Sequence, residues 1–175
     1  AQFYHFAFLV VSLALLGLGA SGSLLSVIPS LQRIPLRTLL ARLNLAFALS
    51  LGLCYGMVNW LPFDSYSIAW DRRQLVYFAL TYLFLSLPFL ISGLGIGAAL
   101  SQTGKGHYQV YGFNLLGSAL GVGGALAVLE AAGVPGAFLS SALLAAAGGL
   151  LLVRGPGRRW LLAAGWTAAA VWVRS

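Results

Sequence analysis

The sequence predicts an all-α, polytopic transmembrane bundle of about six helices, and three observations carry that prediction. Hydrophobic residues make up 60% of the 175-residue chain and charged residues only 7%, whereas soluble domains carry about 25% charged residues. Mean hydropathy is +0.92. The apolar residues also fall into runs of membrane-crossing length, ~20 residues for a helix, with most of the charge gathered between them. Such a chain has too little polar surface to cover itself in water.

The first expected span covers residues 3–28. It opens on Phe3, Tyr4, Phe6 and Phe8, an aromatic cluster suited to a membrane interface. The run is too long for a cleaved signal peptide, so it is read as a retained span. Its small stretch from Gly17 to Ser23 suits close helix contact. Pro29 ends it, and Arg33, Arg37 and Arg42 follow in the loop.

The second span, residues 43–60, contains Gly52-x-x-x-Gly56. A polar-aromatic connector (61–74) comes next, where Asp64 or Ser65 can cap a short surface helix carrying Tyr66, Ile68, Ala69 and Trp70. The third span, 75–100, holds Pro88 near its middle. Proline removes one ladder hydrogen bond and crowds the preceding turn, so a kink is expected there. Gly93, Gly95 and Gly97 loosen the half beyond it.

The fourth span, 110–132, is expected to be the centre of the bundle. At 100° per residue, Gly117, Ser118 and Gly121 fall within about 60° of Asn114, and Leu and Val occupy the opposite face. Small residues let another backbone approach, and Gly117-x-x-x-Gly121 is the minimal form of such a face. Gly133-Val-Pro-Gly136 reads as a tight turn into a fifth span, 137–153. Arg154, Arg158 and Arg159 form a second basic turn. The last apolar segment, 160–173, falls short of the ~17 residues normally needed to span. It is expected to cross, with snorkelling of Arg159 and Arg174 and local thinning; the alternative is a segment lying in the interface.

Ten Lys and Arg against three acids give a net charge of +7. Because the basic residues cluster between apolar runs, they read as orientation signals and lipid contacts rather than a nucleic-acid surface. An outside N-terminus places Arg33, Arg37, Arg42, Lys105, Arg154, Arg158 and Arg159 inside, against Arg72, Arg73 and Arg174 outside. The positive-inside rule therefore favours N-out.

Few residues carry chemistry. Cys54 is the single cysteine, so an internal disulfide or a Cys-based metal site is excluded. Two His and three acids do not build a triad, a carboxylate pair or a metal set, and no catalytic residue, metal or cofactor is expected. Gly93-x-Gly95-x-Gly97 lies within a span and not after a strand, and Gly104-Lys105-Gly106 lacks phosphate-loop spacing. Glu130, an acid in an apolar run, is either an interfacial glutamate or a proton, cation or amine site. Asn114 is an interhelical hydrogen-bond donor or a ligand contact. His5 and His107 lie at span ends, where an interfacial role outweighs axial ligation of a haem or pigment metal.

Three runs carry a family resemblance: Leu87-Pro-Phe-Leu-Ile-Ser-Gly93, Val110-Tyr-Gly-Phe-Asn-Leu-Leu-Gly-Ser-Ala-Leu-Gly121, and Gly133-Val-Pro-Gly136. With Ala14-Leu-Leu-Gly-Leu-Gly-Ala-Ser-Gly22, Leu61-Pro-Phe-Asp64 and Trp70-Asp-Arg-Arg-Gln-Leu75, they resemble the multi-span membrane domain of bacterial spermidine-synthase-like proteins. The resemblance implies a soluble aminopropyltransferase-like domain following the membrane part, and this sequence carries none of its cofactor glycines or catalytic acids. The expected function is therefore a non-catalytic membrane domain that anchors such an enzyme and presents a polyamine or lipid substrate. An accessory subunit of a larger membrane complex, holding lipid, quinone or pigment, is the second reading, and a small transporter the third. The expected partners are membrane lipid and other transmembrane helices. An enzyme of this kind belongs in the cytosol, whereas six crossings from an outside N-terminus end outside; a last segment that stays in the interface reconciles the two.

Overall fold

In the computed structural model of the chain, the described residues are 2–60, 70 and 72–153; side chains are described from residue 8 onward, except those of Gln32 and Lys105. The apolar runs become helices because a backbone away from water must satisfy its own N–H and C=O groups. Five α-helices result: α1 (Gln2–Val27), α2 (Pro29–Arg33), α3 (Leu36–Trp60), α4 (Arg72–Gln102) and α5 (His107–Leu152). A 3-10 turn, Gly104–Gly106, separates α4 from α5. The long helices α1, α3, α4 and α5 are apolar enough to cross a membrane. The expected count of about six is not confirmed. The expected surface helix near Asp64 and the segment 160–173 lie outside the described residues.

The expected fourth and fifth spans form one element, α5, broken at Gly133 (φ 67°, ψ −169°). Only glycine adopts that conformation readily. Two facts show that the break is a sharp reversal. A straight helix of 46 residues would be about 69 Å long, twice the ~30 Å of a hydrocarbon core. Asn114 and Ser141 line one cavity, yet along a straight helix they would stand about 40 Å apart. The second arm (134–152) has Pro135 in its first turn, a position where a missing N–H costs nothing. At the corner a Cβ on Gly136 would run into that of Ala132.

The centre of the bundle is α4 and not the 110–132 stretch. α4 lies between α1 and α3 and touches α5 at its end. α1 and α4 run parallel along a seam of small residues. A Cβ on Gly17 would fall 2.7–2.9 Å from Phe89 Cβ, Leu90 N and Ser86 O; one on Gly93 would strike Ser21, and one on Gly97 would strike Leu25. Leu13, Gly17, Ser21 and Leu25, spaced by four, are all buried. This is the small-xxx-small arrangement in which backbones approach without a hydrophobic drive. Near the C-terminal end of the seam, Leu25, Leu39 and Ala98 form a core onto which Leu31 and Ile34 fold.

α3 runs antiparallel to α4. α4 stays helical through the buried Pro88, and a neighbour explains why the turn survives. Proline cannot donate to the carbonyl four residues earlier, which is Phe84 O. The buried Cys54 thiol of α3 donates to that same oxygen at 3.0 Å. The second arm of α5 packs antiparallel on α3: Tyr55 meets Phe138 with ring centroids 5.8 Å apart, and a Cβ on Gly149 would lie 3.2 Å from Ala41 O. Arg37 closes the contact, donating from Nε to Leu152 O (2.6 Å) and from a guanidinium N–H to Leu151 O (3.3 Å). A cation there also suits the negative end of the helix. Span two begins at Leu36 instead of near 43, because helix-forming Leu, Ala and Arg extend it outward.

These contacts sort the two ends of the bundle. One end gathers the C-termini of α1, α4 and the second α5 arm with Arg33, Arg37 and the 3-10 turn; the other gathers Trp60, Arg72, Arg73, Glu130 and the Gly133 corner.

Candidate functional site

The expected polar residues do not come together. Glu130 is exposed near the Gly133 corner, at the end of the bundle remote from Arg37. Asn114 sits seven residues into α5, near the opposite end. Pro88 is buried in the α1–α4 seam region and lines no described cavity with either. His107 is exposed, its Nδ1 2.6 Å from Gly104 O and its ring 4.0 Å from that of Tyr108. Both contacts are local and belong to the 3-10 turn. His5 lies in α1. Among the described residues no three His, Cys, Asp or Glu form a metal-holding group.

The expected packing face of 110–132 is split. Gly117, Ser118 and Gly121 are exposed, and a Cβ on either glycine would meet nothing within 4 Å. Every residue from 115 to 127 is exposed, so the described part of this chain does not supply the expected burial. Gly52 and Gly56 are likewise open. The close approaches fall to Gly17, Gly93, Gly97 and Gly149 instead.

Asn114 is the member of that face that turns inward. It lines a cavity of about 510 Å³ bounded by α3, α4 and both arms of α5, within the 300–1,000 Å³ range of small-molecule pockets. Leu40, Phe47, Ile91, Ile96 and Leu144 supply apolar wall, and Gly95 lets α4 form one side without a side chain. Four polar side chains share it: Asn44, Ser92, Asn114 and Ser141. Asn44 donates to Leu40 O at 3.0 Å, which leaves its carbonyl oxygen available. Ser140 bonds back to Ala137 O and Ser86 to Leu83 O, the usual outlet for a helical hydroxyl.

The cavity exists because Gly133 reverses the chain and Arg37 pins the second arm, while the first arm leaves α4 after Asn114. Asn44, Ser92 and Ser141 were not singled out by sequence pattern. Asn44 carried a usable signal, an amide inside an apolar run. The serines did not, since a helical serine commonly satisfies itself.

Comparison with family models, curated proteins and solved structures gives no match for this chain.

Proposed function

We propose that this chain is a non-catalytic membrane domain, N-terminus outside in a bacterial inner membrane, that anchors a spermidine-synthase-like enzyme. The observation that carries the membrane reading is the outer surface: large apolar side chains such as Phe8, Phe113, Leu120 and Leu151 are at least 73% exposed on helices of spanning length. In water such a surface would aggregate, and in lipid it is the expected one. The enzyme it carries is inferred from the sequence runs quoted above, to which the fold adds no support. Arg33, Arg37 and the end of the second α5 arm share one end of the bundle, which suits a cytosolic face. Counting α1, α3, α4 and two α5 arms, an outside N-terminus brings residue 153 inside; a cytosolic enzyme then requires that the segment 160–173 stay in the interface.

The accessory-subunit reading is favoured by one observation, the first arm of α5 exposed over 115–127, a helix with room for a neighbour. The transporter reading rests on a broken third span, whereas α4 is one helix from Arg72 to Gln102, and Glu130 and Pro88 do not line the cavity that Asn114 lines. Presentation of a polyamine is also weakened. A polycation needs carboxylates in a low-dielectric site, and the described cavity lining is neutral.

Intact-mass measurement of the protein purified from its native membrane tests the anchoring role. Covalent continuity or stoichiometric copurification with an aminopropyltransferase-like domain is the expected result. Copurification with unrelated membrane subunits alone would replace this reading by the accessory one. The chain by itself is expected to turn over no sulfonium cofactor.

A further inference from the structure

We infer that the cavity between α3, α4 and the two arms of α5 binds a neutral amphipathic lipid, one with a carbonyl or hydroxyl group on an apolar tail. The inference rests on the helices lying in a bilayer and is independent of which enzyme they carry.

The polar groups lie at a common depth. Asn114 is seven residues from His107, Asn44 eight from Leu36, Ser92 ten from Gln102 and Ser141 eleven from Leu152. At 1.5 Å per residue these are about 10, 12, 15 and 16 Å inside the arginine-bearing end. Asn44 follows Arg42 by two residues on α3, so the ring sits just beneath the arginine-bearing interface of a core ~30 Å thick. A polar side chain at this depth is costly unless it is paired. Ser92 and Asn114, both half-buried, and the exposed Ser141 make no side-chain hydrogen bond to another described residue, although Ser140 next door does. They are donors and acceptors held open toward one space.

The chemistry of the ring selects the ligand. Two amides and two hydroxyls offer hydrogen bonds of both senses and no charge, so a carbonyl or hydroxyl is matched while an ammonium or phosphate would be left without a counterion. Leu40, Ile91 and Leu144 supply the wall for a tail. Two sources share this chemistry, an isoprenoid quinone and a diacylglycerol.

The test is photolabelling of the full chain in phosphatidylcholine vesicles. One arm uses a diazirine-bearing quinone and the other a diazirine-bearing diacylglycerol, and labelled peptides are mapped. The expected result in at least one arm is labelling concentrated on 91–99 and 141–145, competed by the same unlabelled lipid. Gly95→Leu fills the cavity; its Cβ would already be in contact with the Leu40 and Leu43 side chains at 3.8 and 4.0 Å, so its folding is checked alongside by unfolding in detergent. It should lower that labelling about tenfold, as should Asn114→Leu on the loosely packed arm, each a loss of ~1.4 kcal/mol of binding. Gly19→Leu, on an open face of α1, should leave it unchanged. Labelling spread evenly over the outer faces of α1 and α5 in both arms, uncompeted and indifferent to Gly95→Leu, overturns the inference. Alkaline extraction of the chain into the soluble fraction would overturn the membrane reading as well, which separates the two failures.

Discussion

The α1–α4 seam and the first arm of α5 carry the same sequence signature and have opposite surroundings. Gly17-x-x-x-Ser21 faces Gly93-x-x-x-Gly97 so closely that added methyl groups would strike backbone or side-chain atoms, whereas Gly117-x-x-x-Gly121 meets nothing within 4 Å. Small residues at a spacing of four state that a helix can be approached. They do not state which helix approaches. The fold decides that: α4 lies between α1 and α3 and packs on both, while the Gly133 reversal commits the second arm of α5 to α3 and leaves the first arm outside.

The comparison can be broken most forcefully at the seam. Gly17→Leu drives a side chain against Leu90 N and Ser86 O, backbone atoms that cannot rotate away. Overpacking of this kind costs about 1–3 kcal/mol, with this site at the upper end, and unfolding in detergent measures it. Gly133→Ala comes next: a Cβ at φ 67° carries strain of about 1–3 kcal/mol and should open the angle between the α5 arms.

The Cys54 contact sharpens the account of Pro88. Cys54→Ala leaves Phe84 O without a donor, a loss of about 1 kcal/mol for a buried carbonyl. In a Pro88→Ala background a backbone N–H returns to that oxygen, so the same Cys54 change should cost markedly less. Equal costs in the two backgrounds would show that the thiol does not serve the proline. Arg37→Met should cost about 0.3–1 kcal/mol through lost capping of α5. Gly121→Leu should change monomer stability by less than about 0.5 kcal/mol; a large loss would mean that another helix covers the arm.

Helix identity and rough extent were legible because apolar runs of twenty residues have one way to satisfy their backbones. The turn at Gly133 was legible from Gly-Val-Pro-Gly, although among the described residues it is a break within one helix, α5, and not a loop between two. The close-contact stretch 17–23 was readable as well. The choice of α4 as centre was not, since every span offers small residues and the wheel of 110–132 describes one helix without its neighbours. The cavity was half legible. Asn114 stood out as an amide on a small face; Asn44 was a lone amide in an apolar run and passed unremarked. Ser92 and Ser141 joined the site only through the reversal of α5. That Phe84 O lacks a donor follows from Pro88 alone, but its partner on α3 needed the fold.

Accessibility of single cysteines at 107, 130 and 153, in a Cys54→Ser background that keeps a hydroxyl donor, tests the central claim most directly. In sealed right-side-out vesicles an impermeant thiol reagent should label Glu130→Cys at once. His107→Cys and Val153→Cys should be labelled only after permeabilisation, since α5 crosses and returns. Residues 107 and 153 reporting from opposite sides, or all three labelling alike without permeabilisation, would contradict it.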